Sequence, residues 1–106
     1  MSTEASIRAA EVGARVWFAG EKKPYKVRAR NERYLICTKP FNPKRTVLYT
    51  IVDLERRVRG RDNMIFGMGY ETDEDIAETM AALAAGDVEV SYRHFVNLEV
   101  ERVERE

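Results

Sequence analysis

The sequence predicts a single α+β domain built on a small, curled, mostly antiparallel β-sheet or barrel with one α-helix before the last strand. Three observations lead there. Five or six short segments rich in Val, Ile, Tyr, Phe and Thr are separated by turn residues. One segment between Thr72 and Gly86 carries the chemistry of a helix start and a helix stop. The 106 residues, 44% of them hydrophobic, suffice for one core and not for two. The domain is expected to span residues 1–106, with the small or polar residues 1–5 frayed.

In chain order, Ser6 to Val12 suits a short helical turn broken at Gly13. Arg15 to Phe18 begins the aromatic and β-branched material, and Gly20-Glu21-Lys22-Lys23-Pro24 reads as a turn into the next strand. In Tyr25 to Arg30, alternation puts Tyr25, Val27 and Ala29 on one face and Lys26, Arg28 and Arg30 on the other, so that one face is wholly basic. Asn31-Glu32 can form a two-residue hairpin turn, with Arg30 opposite Arg33, although Glu is a poor second turn residue and leaves the register open to a one-residue slip.

Tyr34 to Thr38 is apolar on both faces, as a central strand requires, and places Cys37 as a small core side chain. The loop Lys39-Pro40-Phe41-Asn42-Pro43-Lys44-Arg45 is stiffened by two prolines, and Thr46 to Asp53 is the strongest strand signal in the chain. Arg56, Arg57, Arg59 and Arg61 fall in a polar connection, followed by a short strand at Met64 to Met68. In the helix, Thr72 is the candidate N-cap with Asp75 three residues later, Asp73 and Glu74 suit the positive end of the dipole, Ile76, Met80 and Leu83 share the buried face, and Gly86 terminates. From Val88 the strand pattern returns, with Val96, Leu98 and Val100 alternating against Asn97, Glu99 and Glu101, and with Val103 extending the apolar side.

Several function classes find no support. One Cys and one His supply neither a disulfide framework nor a zinc site, so neither metal nor cofactor is expected. His94 near Ser91 and Tyr92 lacks the geometry of a base beside a nucleophile, because neighbours along a strand point to opposite faces. Gly67-Met68-Gly69 lacks the rest of a phosphate loop. The expectation is a non-enzyme. Without an apolar leader or a membrane-length apolar window, a reducing cytoplasm is the expected compartment.

Two resemblances add to this reading. Gly13-Ala14-Arg15-Val16-Trp17-Phe18, followed by Pro24-Tyr25-Lys26-Val27, resembles the entry of Src-homology-3-like small barrels, in which a glycine turn feeds a first strand and a hairpin. The stretch from Pro24 to about Asn63 is similar to small proteins of unknown function encoded in bacteriophages and prophages. The segments that carry this likeness are Glu32-Arg33-Tyr34-Leu35-Ile36-Cys37-Thr38-Lys39-Pro40-Phe41, Tyr49-Thr50-Ile51-Val52-Asp53-Leu54 and Arg59-Gly60. That likeness implies a cytoplasmic accessory protein of infection or lysogeny and assigns no functional residue.

The charge distribution is the main functional hint. Net charge is zero, yet Met1 to Arg61 carries 15 Lys and Arg against 6 Asp and Glu, and Asp62 to Glu106 carries 3 against 12. An uncovered basic half favours a polyanion, with DNA or RNA as first choice. The candidate contacts are Lys22, Lys23, Lys26, Arg28, Arg30, Arg33, Phe41, Lys44, Arg45, Arg56, Arg57, Arg59 and Arg61, with Tyr25, Tyr34 or Phe41 as stacking partners if exposed. The competing expectations are that the two halves neutralise each other within the fold, and that Phe41 folds back over the barrel end. A further option is that Asp73, Glu74, Asp75 and Glu78 imitate phosphate spacing. From another class comes a protein-interaction or inhibitory module acting on a host or phage protein, with a homodimer formed through opposite charges or an open strand edge.

Overall fold

The computed structural model describes residues 3–40, 47–60, 73–86 and 95–105. Its elements are α1 (Thr3–Arg8), β1 (Arg15–Phe18), β2 (Tyr25–Arg30), β3 (Tyr34–Pro40), β4 (Val47–Asp53), β5 (Val58–Gly60), α2 (Asp73–Ala85), β6 (Phe95–Asn97) and β7 (Val100–Glu104). The strands form one sheet in the order β6-β5-β4-β3-β2-β1-β7, antiparallel at every step. The expected α+β class and curled antiparallel sheet are therefore present. Three details differ: the sheet has seven strands among the described residues rather than five or six, α2 precedes the last two strands rather than one, and α1 occupies Thr3–Arg8 rather than Ser6–Val12, beginning inside the stretch expected to fray.

The curl follows from connectivity. β6 and β7 are opposite edges of the sheet, yet only Leu98 and Glu99 separate them. In a flat sheet those edges would lie about 29 Å apart, six strand spacings, whereas the three steps from Asn97 to Val100 reach about 11 Å at most. The sheet must roll until its edges approach. The seam is tied on both sides, because Leu98 N–H donates to Arg57 C=O at 2.9 Å and Ala19 N–H donates to Glu99 C=O at 2.8 Å.

Rolling creates an inside and an outside. Val16, Phe18, Tyr25, Val27, Leu35, Cys37 and Val52 fill the interior, closed by Ile7 and Ala10 from the α1 segment and flanked by Leu98, Val100 and Val103. On the outside, Ile76, Met80 and Leu83 of α2 pack over Ala29, Tyr34, Ile36 and Ile51. β3 is thus buried on both faces, as its sequence requires, with Leu35 and Cys37 inward and Ile36 outward. Gly86 closes α2 at φ 78°, a left-handed conformation that a Cβ would strain, and donates to Leu83 C=O.

Two register shifts decide where side chains point. In β2, Val27 faces Cys37 and Ala29 faces Ile36, so Arg28 is an extra residue and the alternation reverses behind it. Ala29 therefore turns outward under α2, and Arg30 turns inward opposite Leu35. In β7, Phe18 faces Val100 and Trp17 faces Arg102, leaving Glu101 as the extra residue. Val100 and Val103, three apart, would lie on opposite faces of a regular strand; the shift lets both reach the same core.

The hairpin between β2 and β3 takes the slipped register. Arg30 faces Leu35, not Arg33, and Asn31 begins the turn, its Oδ1 accepting from the backbone N–H groups of Arg33 at 2.9 Å and Tyr34 at 2.7 Å. An Asn at the first turn position thus satisfies both donors with its side chain. Cavity formation under α2 sets the expected cost of truncation there: Ile36→Ala should lose about 2–5 kcal/mol of stability in urea denaturation, whereas Lys22→Ala, at an exposed position, should stay within about 0.5 kcal/mol.

Candidate nucleic-acid interface

The basic residues of the β2–β3 hairpin do not form one open face. Arg28 is part-buried on the outer side, where its guanidinium donates to Asp73 Oδ1 at 2.6 Å, at the first turn of α2, and to Thr38 Oγ1 at 3.3 Å. Arg30, turned inward by the bulge, donates to the carbonyl oxygens of Arg8 at 2.9 Å, of Ala10 at closer range, and of Asn31 at 3.2 Å. It anchors the end of α1 and the following turn, so it lies opposite to the side that strict alternation assigns it.

Arg33 reaches β4. Its Nε and terminal nitrogen donate to the two oxygens of Asp53 at 3.2 and 3.0 Å, a bidentate pair, with Glu55 at 3.7 Å beyond. Asp53 is fully buried and also accepts from the backbone N–H groups of Glu55 and Arg56, which shapes the turn into β5. Burial pushes its carboxyl pKa up, but the Arg33 hydrogen bond and charge, with the two backbone donors, outweigh burial and hold it below the ordinary value. The Asp53 hydrogen bond raises the Arg33 pKa in turn.

Arg59 departs furthest from expectation. It belongs to β5, not to a polar connection, and its guanidinium lies inside the sheet, 4.5 Å over the Phe18 ring and 3.8 Å from Glu21. Glu21 also receives Lys39 at 2.6 Å, which stands 4.7 Å over the Tyr25 ring. Cys37, buried in the same interior, has its thiol pushed up to about 12 by desolvation, and so is inert core material.

These contacts resolve much of the charge asymmetry. Arg28–Asp73 and Arg15–Glu104 join the basic half to the acidic half. Arg33, Lys39 and Arg59 instead engage Asp53, Glu55 and Glu21 of their own half. Lys22, Lys23, Lys26, Arg56 and Arg57 remain exposed. The β1–β2 turn with Lys22 and Lys23 and the β4–β5 turn with Arg56 and Arg57 are bound to the consecutive residues Leu98 and Glu99, and so are neighbours across the seam. Phe41, Lys44, Arg45 and Arg61 lie outside the described residues, as do Met64 to Met68, Thr72 and the Ser91, Tyr92 and His94 group.

The half-exposed aromatic is not one of those that sequence pattern singles out. Tyr25 is fully buried, edge-on to Phe18 with centroids 5.4 Å apart, and Tyr34 lies beneath Arg33 and against the α2 cluster. Trp17 is different. It sits half-buried on the outer face of β1, with the Arg102 guanidinium 4.1 Å and the Arg15 guanidinium 5.8 Å from its ring centroid. The register sets Trp17 beside Arg102, and Arg15 between Glu104 and Lys26. Across β7, β1 and β2 this gives an outer surface with Arg15, Lys26 and Arg102 exposed around one indole.

Alternation in Arg15-Val16-Trp17-Phe18 carried the signal, since Val16 and Phe18 are fully buried and Arg15 and Trp17 must oppose them. α2 covers the β2, β3 and β4 part of the outer face, through Ala29, Tyr34, Ile36 and Ile51, and leaves the Trp17 part clear among the described residues. No group of metal-binding side chains occurs among the described residues, and none of their helices is long and apolar enough to cross a membrane.

No protein-family model, curated protein or solved structure matches this chain.

The Asp53 site generates a pH signature. Its folded carboxyl pKa is depressed, so the stability it contributes is complete above the unfolded value of about 3.9 and is lost as the pH falls through the folded one. Melting temperature should drop steeply on acidification through this range, and Asp53→Asn should be less stable at neutral pH with a visibly flatter acid limb, both read by circular dichroism.

Proposed function

We propose that this chain is a small, non-enzymatic binding module on a Src-homology-3-like barrel, and that its β7-β1-β2 outer face binds single-stranded nucleic acid, with Trp17 stacking on a base. The observation that carries the reading is Trp17, half-buried on sheet surface that α2 leaves clear, with the guanidinium groups of Arg102 and Arg15 at 4.1 and 5.8 Å from its ring centroid. A base has a π-face whatever its sequence, and an aromatic platform ringed by cations is the sequence-tolerant way to hold one beside its phosphates. Arg15, Lys26 and Arg102 are exposed around Trp17, so that phosphates would exchange with Glu104 for the two arginines, and Lys22 and Lys23 extend the exposed basic surface at the next turn.

Single strands are favoured over duplex because stacking on Trp17 needs an unpaired base. The barrel type finds support in the glycine turn at Gly13, φ 100°, feeding β1, and in the kinked β6–β7 segment that pairs with β5 and then β1. A role among phage or prophage accessory proteins in the cytoplasm follows only from the resemblance of Pro24 to Asn63.

Trp17 is the sole tryptophan, so the protein reports on its own site. Titrating oligo-dT or oligo-U at low salt should quench its fluorescence, and log K should fall with log salt at a slope of about −3.5 if each of the five cations neutralises one phosphate of a single strand. Trp17→Ala, followed by a labelled oligonucleotide, should weaken binding by roughly 5- to 100-fold, the value of one base stack. Unchanged fluorescence and no retention of either oligonucleotide at low ionic strength would remove the proposal.

A further inference from the structure

Edge strands protected by charge ordinarily carry one sign, so that a second copy is repelled. β7 does the opposite. It is the last strand of the sheet and, among the described residues, pairs with β1 alone. Along Glu101-Arg102-Val103-Glu104-Arg105 the charges alternate in mirror fashion about Val103, acid facing base at equal distance on each side. Laid antiparallel against itself with Val103 at the centre, such a strand brings each Glu101 to the partner's Arg105 and each Arg102 to the partner's Glu104. Any slip by one residue loses this matching.

Two further observations favour the same surface. Val12, 61% exposed, is one of two large hydrophobic side chains left in the open among the described residues, and it lines a cleft of about 360 Å³ with Glu11, Val103 and Arg105. A copy seated on β7 would cover it. Arg102 and Glu104 already pair within one chain on the outer face, so an antiparallel partner completes a square in which every charge has two neighbours of opposite sign.

We propose that two copies of this chain associate through antiparallel pairing of β7 about a two-fold axis at Val103. The interface is isologous and closes at a dimer. It also continues the outer face from one protomer to its partner, setting the two Trp17 rings on one surface on the order of 15 Å apart, three strand spacings with a two-residue offset.

Sedimentation equilibrium from micromolar to millimolar concentration tests the proposal without nucleic acid, so its outcome is independent of the binding reading. The wild-type chain should approach twice its 12.3 kDa mass, with association weakened by salt. Glu101→Arg alone sets Arg against the partner's Arg105, and Arg105→Glu alone sets Glu against the partner's Glu101; each should raise the dissociation constant about tenfold or more. Both positions are exposed, so unchanged circular dichroism is expected of each variant. An equimolar mixture of the two variants should recover the dimer, because every contact then joins opposite signs. A monomeric wild-type chain overturns the proposal, and so does a dimer that tolerates either single reversal or a mixture that stays monomeric.

Discussion

One extra residue in β2 organises the molecule. If Arg28 were an ordinary member of the ladder, Ala29 would point into the core and Arg30 out to solvent; because it is a bulge, the small side chain lies under α2 and the long cation goes inward. Both helices depend on that reversal. α2 can approach the sheet because the residue facing Ile36 is an alanine, and the α1 segment is held by a guanidinium gathering the carbonyls of Arg8 and Ala10. Arg28 itself, freed from strict alternation, meets Asp73 at the positive end of α2, where a carboxylate is already favoured by the helix dipole.

With a third of its residues charged, this chain places some of its cations in or near the core, and it does so beside carboxylates of its own basic half. Asp53 and Glu21 each gather more than one donor: Asp53 takes Arg33 and two backbone amides, and Glu21 takes Lys39 and Arg59. Arg59 also rests on Phe18, and Lys39 on Tyr25, so aromatic faces share in compensating cations withdrawn from water. The cations that stay exposed are those on β1, on the outer side of β2 and at the turns, so the exposed basic side chains lie around Trp17 and not on the β2–β3 hairpin.

The parts of the fold that sequence made legible are those in which local pattern and tertiary demand agree. Apolar residues on both sides of Tyr34 to Thr38 announced a strand covered twice, and Ile76, Met80 and Leu83 with Gly86 announced α2, its buried face and its end. The illegible parts are those in which a distant contact overrides local pattern. Nothing within Tyr25 to Arg30 marks Arg28 as extra; the reason lies in α1 and α2, far away in sequence. Arg59 reads as surface by composition and is interior because Glu21 and Phe18 await it. For the candidate site, the exposed lysines were readable from turn residues, whereas Arg102 meets Trp17 only because Glu101 is skipped in the ladder. Trp17 itself was in plain view, its orientation implied by buried Val16 and Phe18 on either side.

The pairing of β1 with β7 has a consequence for how the molecule comes into being. Residues 15–18 find their outer neighbour among residues 100–104, so a ribosome must deliver the chain through residue 104 before the curled sheet can gain its edge strand. Until then the nascent β1–β2–β3–β4 meander exposes Val16 and Phe18 along an unfinished border, a species for chaperones to shelter. Any protease that trims residues 100–104 from the finished protein would return it to that half-made condition.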